Sequence, residues 1–239
     1  MNMNGMTPDI LRKEIETEIR RHFAPKHPRS LYEPMAYAIT AGGKRLRPML
    51  LIQACRAAGG YAEDCLDAAV AVEILHGFTL VHDDIMDGDD TRRGKPTVHK
   101  KWDEATAILA GDGLVTKAFQ VLLNCRPPRL KEILTIFTDG LMTLCEGQAL
   151  DKDFEKREEI TTEDYMEMIG KKTAALLEVC CELGVLLAEA GDEVRAAVKK
   201  YARALGEAFQ IQDDLLDVYS EEATMGKTRC SDIMARKKT

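Results

Sequence analysis

Two apolar helical runs, each ending in aspartates four residues apart, constrain this chain more than any other feature of its 239 residues. The first, AVAVEILHGFTLV at 69–81, leads directly into HDDIMDGDDTRRG at 82–94. Asp83, Asp84 and Asp87 therefore fall on the last turn of a helix apolar enough to be mostly buried. At about 100° per residue, Asp83 and Asp87 share one face. Carboxylates buried together without a counter-charge are costly, and no basic residue precedes them on this helix. A cation is the natural remedy. Oxygen ligands with no interleaved His or Cys favour Mg²⁺ over Zn²⁺, and Mg²⁺ keeps positions open for phosphate oxygens. A lone DDxxD also fits an acidic, solvated helix end. FQIQDDLLD at 209–217, however, repeats the geometry with Asp213 and Asp217, and Asp214 echoes Asp84. Two such ends in one chain do not fit solvated faces.

The rest of the composition points to one helical domain. The chain is 45% apolar and only 5% aromatic, and its runs of Ala, Leu, Glu and Lys carry little β-branched alternation. A net charge of −7 argues against a nucleic-acid partner. Seven cysteines without a CxxC pair read as small core residues in a reducing compartment. The opening MNMNGMTPDILRKEIE lacks the pattern of a secretory signal, and no uninterrupted apolar stretch reaches membrane-spanning length. The expectation is a cytoplasmic protein without stable membrane insertion.

In chain order, Thr7 and Pro8 open an amphipathic helix to about Phe23, and a short helix follows near Leu31 to Ile39. AGGKRLRP then places Lys44, Arg45 and Arg47 beside a flexible glycine pair, with Pro48 starting the next helix. Guanidinium forks and helix-start amides suit phosphate oxygens, although a solvated basic turn has the same composition. His76 lies seven residues before Asp83, on the same face, as either a cavity group or a satisfied core histidine. Arg92 and Arg93 follow the first carboxylates at once, which fits a metal-bridged, arginine-clamped polyphosphate. Further helices are expected from Trp102 to Asn124 and from Pro127-Pro128 through Gln148. Residues 151–159 read as a solvated connection without chemistry. A helix starting at Thr161 or Thr162 is interrupted at Gly170, before a Lys172-Thr173 pair that suits either phosphate contact or a snorkelling lysine. The last helix spans Asp192 to Tyr219.

Together, GGKRLRP, HDDIMDGDDTRRG, GKKTA, FQIQDDLLD and the GK near the end resemble the trans-prenyltransferases, the polyprenyl diphosphate synthase family. The likeness extends from Gly42 to Lys237. It implies an all-α isoprenoid synthase bundle around a deep central cavity, with residues 1–239 as a single domain, usually in a homodimer. It makes Lys44, Arg47, His76 and Arg93 the isopentenyl diphosphate site. Arg92, Lys172, Thr173, Gln210, Lys227 and Lys237 become the allylic diphosphate site. Asp83, Asp87 and Asp213 would hold two or three Mg²⁺ ions, with Asp84 and Asp217 as supporting groups. Asp83, Asp87, Arg92, Lys172 and Asp213 would carry the catalytic ionisation of the allylic diphosphate. Arg236 departs from the family's frequent glycine before its last lysine. Family members also continue for several helices past the equivalent of Thr239, so the resemblance implies a bundle lacking those helices.

Product length is read from the same resemblance. On the wheel, Thr79, His76 and Val72 lie on or near the cavity face, whereas Phe78 lies about 140° from Asp83. In the family, bulk four or five positions before the first aspartate limits the chain. Phe78 at the fifth, the smaller Thr79 at the fourth and no insertion within DDxxD are similar to the archaeal type of geranylgeranyl diphosphate synthase. The expected product has twenty carbons, with the fifteen-carbon farnesyl compound as the alternative. Two rivals come from other classes. A di-iron carboxylate protein would use the ExxH at Glu73 to His76, but needs two such motifs. A non-catalytic regulatory subunit should have lost an aspartate motif or the GGKRLRP cations, and all are present.

Overall fold

The computed structural model describes residues 3–125 and 129–219. Apart from one hairpin of two-residue strands, the regular elements among these residues are all helical, in agreement with the sparse β-branched alternation of the sequence. Helix α1 (Pro8–His22) starts at Thr7-Pro8 and buries the stripe Leu11, Ile15 and Ile19. Helices α2 (Arg29–Thr40) and α3 (Leu46–Ala57) follow, and α3 begins two residues before Pro48.

Helix α4 (Ala62–Asp87) is the axis of the bundle. Every residue from Ala68 to Leu75 is buried. A helix buried on all sides must be surrounded, and α1, α2, α3 and the later helices Glu104–Leu122 and Ala175–Leu187 pack on this one. Contrary to the sequence expectation, α4 is long and apolar enough to cross a membrane, but 67% of that window is buried within the bundle. Its place is that of a core helix. It ends at Gly88, whose φ of +69° lets the amides of Gly88 and Asp89 turn back to Ile85 and Asp84. That turn leaves the last-turn aspartates at the end of the helix and launches the hairpin.

Strands β1 (Thr91–Arg92) and β2 (Lys95–Pro96) pair Thr91 with Pro96 and Arg92 with Lys95. Helix α5 (Val98–Lys101) leads to α6 (Glu104–Leu122), whose start is capped by Asp103 accepting the Thr106 amide at 2.7 Å. Pro127 and Pro128 lie outside the described residues. Helix α7 (Leu130–Phe154) runs well into the stretch read as a solvated connection: Asp151 and Phe154 are both buried. Helix α8 (Thr162–Ile169) opens in a capping box between Thr161 and Asp164. In place of a break at Gly170, residues Gly170–Ala174 form a π-helical turn continuous with α9 (Ala175–Leu187). Such widened turns occur frequently at functional sites. Helix α10 (Asp192–Tyr219) completes the described chain.

Candidate active site

A cavity of about 750 Å³ opens where the α2–α3 loop, the end of α4, the hairpin, α7, the π-turn and α10 converge. That volume suits a small-molecule ligand. Lys44, Arg47, His76, Thr79, Asp83, Asp87, Arg92, Arg93, Lys172, Thr173, Gln210 and Asp213 all line it. One space therefore collects residues spread over 170 positions of sequence, and it joins both aspartate motifs to the cations.

On the cationic wall, an Arg47 Nη1–H donates to His76 Nε2 at 3.0 Å, and His76 Nδ1 is 3.3 Å from the Thr79 hydroxyl. Burial, reinforced by Arg47, Arg93, Arg92 and Arg45, holds the His76 pKa well below the usual 6.5. The imidazole is thus neutral, protonated on Nδ1, and serves Arg47 as an acceptor. The buried Nε of Arg47 has no hydrogen-bond partner, an orphan donor in a wall that suits an anion. Arg93 has φ +54° and donates to the Gly42 carbonyl. Arg92 is held from beneath by Asp84, Nε to Oδ1 at 2.5 Å, and reaches Asp89 at 3.5 Å. Asp84 is only 4% exposed, and burial outweighs Arg92 to push its pKa up to about 6. Its role is to anchor the hairpin arginine.

On the opposite wall, Thr173 Oγ1 donates to Gln210 Oε1 at 2.6 Å, and Gln210 Nε2 donates to Asp214 Oδ1 at 2.8 Å. Tyr165 adds its hydroxyl to Asp214 Oδ2 at 2.5 Å. Burial raises the Asp214 pKa in spite of these donors. Lys172 Nζ donates to Asp151 Oδ2 at 2.5 Å, whereas Lys171 points outward to Glu146 and Glu167. The π-turn makes that division by adding a residue to the turn, and it approaches α7 at Gly147, where any side chain would strike the Lys172 backbone.

Several placements differ from the expectations. Asp217 is 5% exposed and is not among the cavity-lining residues. Phe78 does not line the cavity either: its ring lies edge-on to His82 with centroids 4.7 Å apart, where the wheel put it, while Thr79 does line it. Lys227 and Lys237 lie outside the described residues. The sequence reading missed Asp151, which pairs with Lys172, and Lys152, whose Nζ is 2.7 Å from Asp87 Oδ1 and 2.8 Å from Glu155. Their only signal was the helical spacing of Leu144, Gln148, Asp151 and Phe154, hidden by the charges between them. Glu73 and His76 are engaged by Arg45 and Arg47, so the single ExxH is not arranged as a metal site.

The donors facing this cavity fit a hard divalent cation. Asp83, Asp87 and Asp213 offer carboxylate oxygens, and the one lining histidine spends its free lone pair on Arg47. Among the described residues, a separate group of Glu18, His22 and Asp67 brings ligand atoms within 4.8 Å of one another, but it joins α1 to α4 and lines no part of the cavity.

The Polyprenyl synthetase family model matches residues 28–239. A geranylgeranyl diphosphate synthase of Methanosarcina mazei is 48% identical over 214 residues, 89% of this chain and 66% of its own length. A short chain isoprenyl diphosphate synthase of Methanothermobacter thermautotrophicus is 46% identical over 235 residues, 97% of this chain and 72% of its own length. The crystal structure of geranylgeranyl pyrophosphate synthetase from Pyrococcus horikoshii Ot3 superposes with a TM-score of 0.93 at 42% identity, covering 97% of this chain and 72% of that one.

Proposed function

This chain belongs to the polyprenyl synthetase family, and from that premise we propose that it is a trans-prenyltransferase joining isopentenyl diphosphate to an allylic diphosphate. The observation that carries the reading is the single cavity in which Asp83 and Asp87 of α4 and Asp213 of α10 share walls with Lys44, Arg47, Arg92, Arg93 and Lys172. A space in which these carboxylates and cations face one another, with Asp89, Glu73 and Arg45 also on its walls, fits two diphosphates and divalent metal far better than either alone. Retention of both motifs also favours an enzyme over a silent regulatory subunit.

In this reading Lys44, Arg47 and Arg93 hold the isopentenyl diphosphate, and the neutral His76 orients Arg47. Arg92, Lys172, Thr173 and Gln210 hold the allylic diphosphate, with Lys227 and Lys237 assigned to it by resemblance alone. Asp83, Asp87 and Asp213 would hold Mg²⁺, two or three ions by analogy, with buried Asp217 as a supporting group. Bound metal supplies positive charge for the diphosphate that leaves. The allylic C–O bond breaks with its electron pair going to the diphosphate, where Arg92 and Lys172 stabilise the developing charge. The isopentenyl double bond then forms the new C–C bond, and the proton it sheds goes to the departed diphosphate. Apolar Leu80, Leu144, Leu176 and Phe209 on the cavity walls exclude water from the carbocation. The proposed product is geranylgeranyl diphosphate, with farnesyl diphosphate the alternative. A homodimer in the cytoplasm belongs to the same reading, with the exposed Ile108, Leu109 and Met142 on α6 and α7 as candidates for its interface.

Turnover of labelled isopentenyl diphosphate with and without Mg²⁺ is the direct test. Asp83→Ala and Asp213→Ala should each lower kcat by about 10²-fold or more, as loss of a transition-state charge contact does, and leave the circular dichroism unchanged. Near-parental turnover in either variant at saturating Mg²⁺ would refute the shared clamp.

A further inference from the structure

Of the three cations crowded into GGKRLRP, the middle one is buried and paired within the protein. Arg45 is 5% exposed, while Lys44 before it is exposed. An Arg45 Nη1–H donates to Glu73 Oε1 at 2.7 Å and an Nη2–H to the Ile39 carbonyl at 2.9 Å. Its Nε lies 3.8 Å from Glu16 of α1 and has no hydrogen-bond partner. Glu73 is 3% exposed, so the Arg45–Glu73 pair is a buried one that ties the start of α3 to the middle of α4 and the end of α2.

Stability alone does not account for this pair. A buried ion pair can often be replaced by apolar groups of similar volume without loss, because desolvation offsets the attraction. Arg45 also sits at φ +53°, a conformation disfavoured for any residue with a Cβ. Strain of that kind persists where the surroundings over-determine the backbone. What the strained backbone delivers is the orientation of its neighbours. Lys44 and Arg47, on either side of Arg45, line the cavity along with it. The loop's Gly42 carbonyl accepts from Arg93, and the Arg93 guanidinium lies so close to Gly43 that a Cβ there would be 2.7 Å from it. Glu73 meanwhile places one negative charge beneath Arg45, Arg47 and Arg93, and its field acts on the last two.

We propose that the Arg45–Glu73 pair is a positioning device for the isopentenyl diphosphate site: it locks the α2–α3 loop so that Lys44, Arg47 and Arg93 converge on one diphosphate. Arg45 and Glu73 line the cavity too, but Arg45 spends its guanidinium on Glu73 and the Ile39 carbonyl instead of offering it to a ligand. This rests on the functional reading above, and the test separates the two. The double variant Arg45→Met/Glu73→Leu exchanges the pair for apolar side chains. Its melting temperature is expected within a few degrees of the parent's. Its KM for isopentenyl diphosphate should rise at least about tenfold, while the allylic KM moves less than about threefold, since only one diphosphate site has lost its template. Calorimetry with isopentenyl diphosphate in EDTA reads the same site without turnover and should show the same weakening.

A folded double variant with parental KM and parental Kd overturns the proposal. Should the double variant fail to fold, Glu73→Gln decides. It keeps a hydrogen-bond acceptor for Arg45 but removes the charge, and is expected to raise the isopentenyl diphosphate KM about threefold or more; an unchanged value overturns the proposal equally. A parent enzyme that binds isopentenyl diphosphate but turns nothing over sinks the assigned reaction and leaves the pair's role to the calorimetry. A parent that binds none of it sinks both.

Discussion

Gly147 is where the smallest possible addition should do the most specific damage. A Cβ built there would lie 2.2 Å from the Lys172 amide nitrogen and 2.6 Å from the Lys171 carbonyl carbon and the Lys172 Cα. All three are backbone atoms, so no side chain can swing aside. Ordinary contact begins near 3.4 Å, so Gly147→Ala must push α7 and the π-turn apart by roughly 1 Å, a typical overpacking strain of about 1–3 kcal/mol. Alanine's better helix propensity returns about 1 kcal/mol. The net loss of about 0–2 kcal/mol corresponds to a Tm lower by up to about 8 °C for a domain of this size. The same displacement moves Lys172 and Thr173 off the cavity geometry, and a 1 Å misplacement costs about 10²-fold in turnover. Gly140→Ala is the control, because its added carbon would meet chiefly a Val179 methyl at 2.1 Å, a side chain that can repack. Both variants should melt no higher than the parent and by up to several degrees lower, but only Gly147→Ala should lose about 10²-fold in kcat/KM with the allylic substrate. A Gly147→Ala enzyme with parental kcat/KM, or the same activity loss in Gly140→Ala, would refute the argument.

Removing charge should sort the two diphosphate sites: Arg47→Gln is expected to raise the KM for isopentenyl diphosphate most and Lys172→Met the allylic KM, and steady-state kinetics showing the reverse would dissolve the division. By the resemblance, and although its ring lies off the cavity, Phe78→Ala should lengthen the product, read by chromatography of the dephosphorylated alcohols; an unchanged distribution would move the floor to Thr79, Leu75 or Phe119. Because the His76 pKa is lowered, the folded protein stays neutral there while the unfolded chain takes up a proton below pH 6.5. Its contribution to stability is therefore complete above pH 6.5 and is lost as the pH falls, by at most about 1.4 kcal/mol per unit. Denaturant unfolding of the parent should weaken between pH 6.5 and 5 by more than that of His76→Gln, and parallel profiles would contradict the assignment.

The sequence determined the local features by itself. The 3.6-residue spacing of Leu11, Ile15 and Ile19 and the caps at Thr161 and Asp164 act within one or two turns, so they can be read without knowing what packs where. The apolar run before Asp83 likewise required a central helix ending in carboxylates. Most of the candidate site was legible for the same reason, since Asp83 and Asp87, Lys44 and Arg47, Arg92 and Arg93, and Lys172 and Thr173 each announce themselves within a short motif. What tertiary structure alone decided was the state of the remaining charges. Arg45 looked like a third phosphate ligand, and it is buried against Glu73, 28 residues away. Asp151 and Lys152 looked solvated, and they pair with Lys172 and Asp87 across 21 and 65 residues. Asp84 was legible as a supporting group behind the metal-facing aspartates, but that it bonds Arg92 was not. A charged side chain has the same letter whether water or a facing helix surrounds it, and the cost of desolvation that forces it to find a partner arises only once the helices have closed around it.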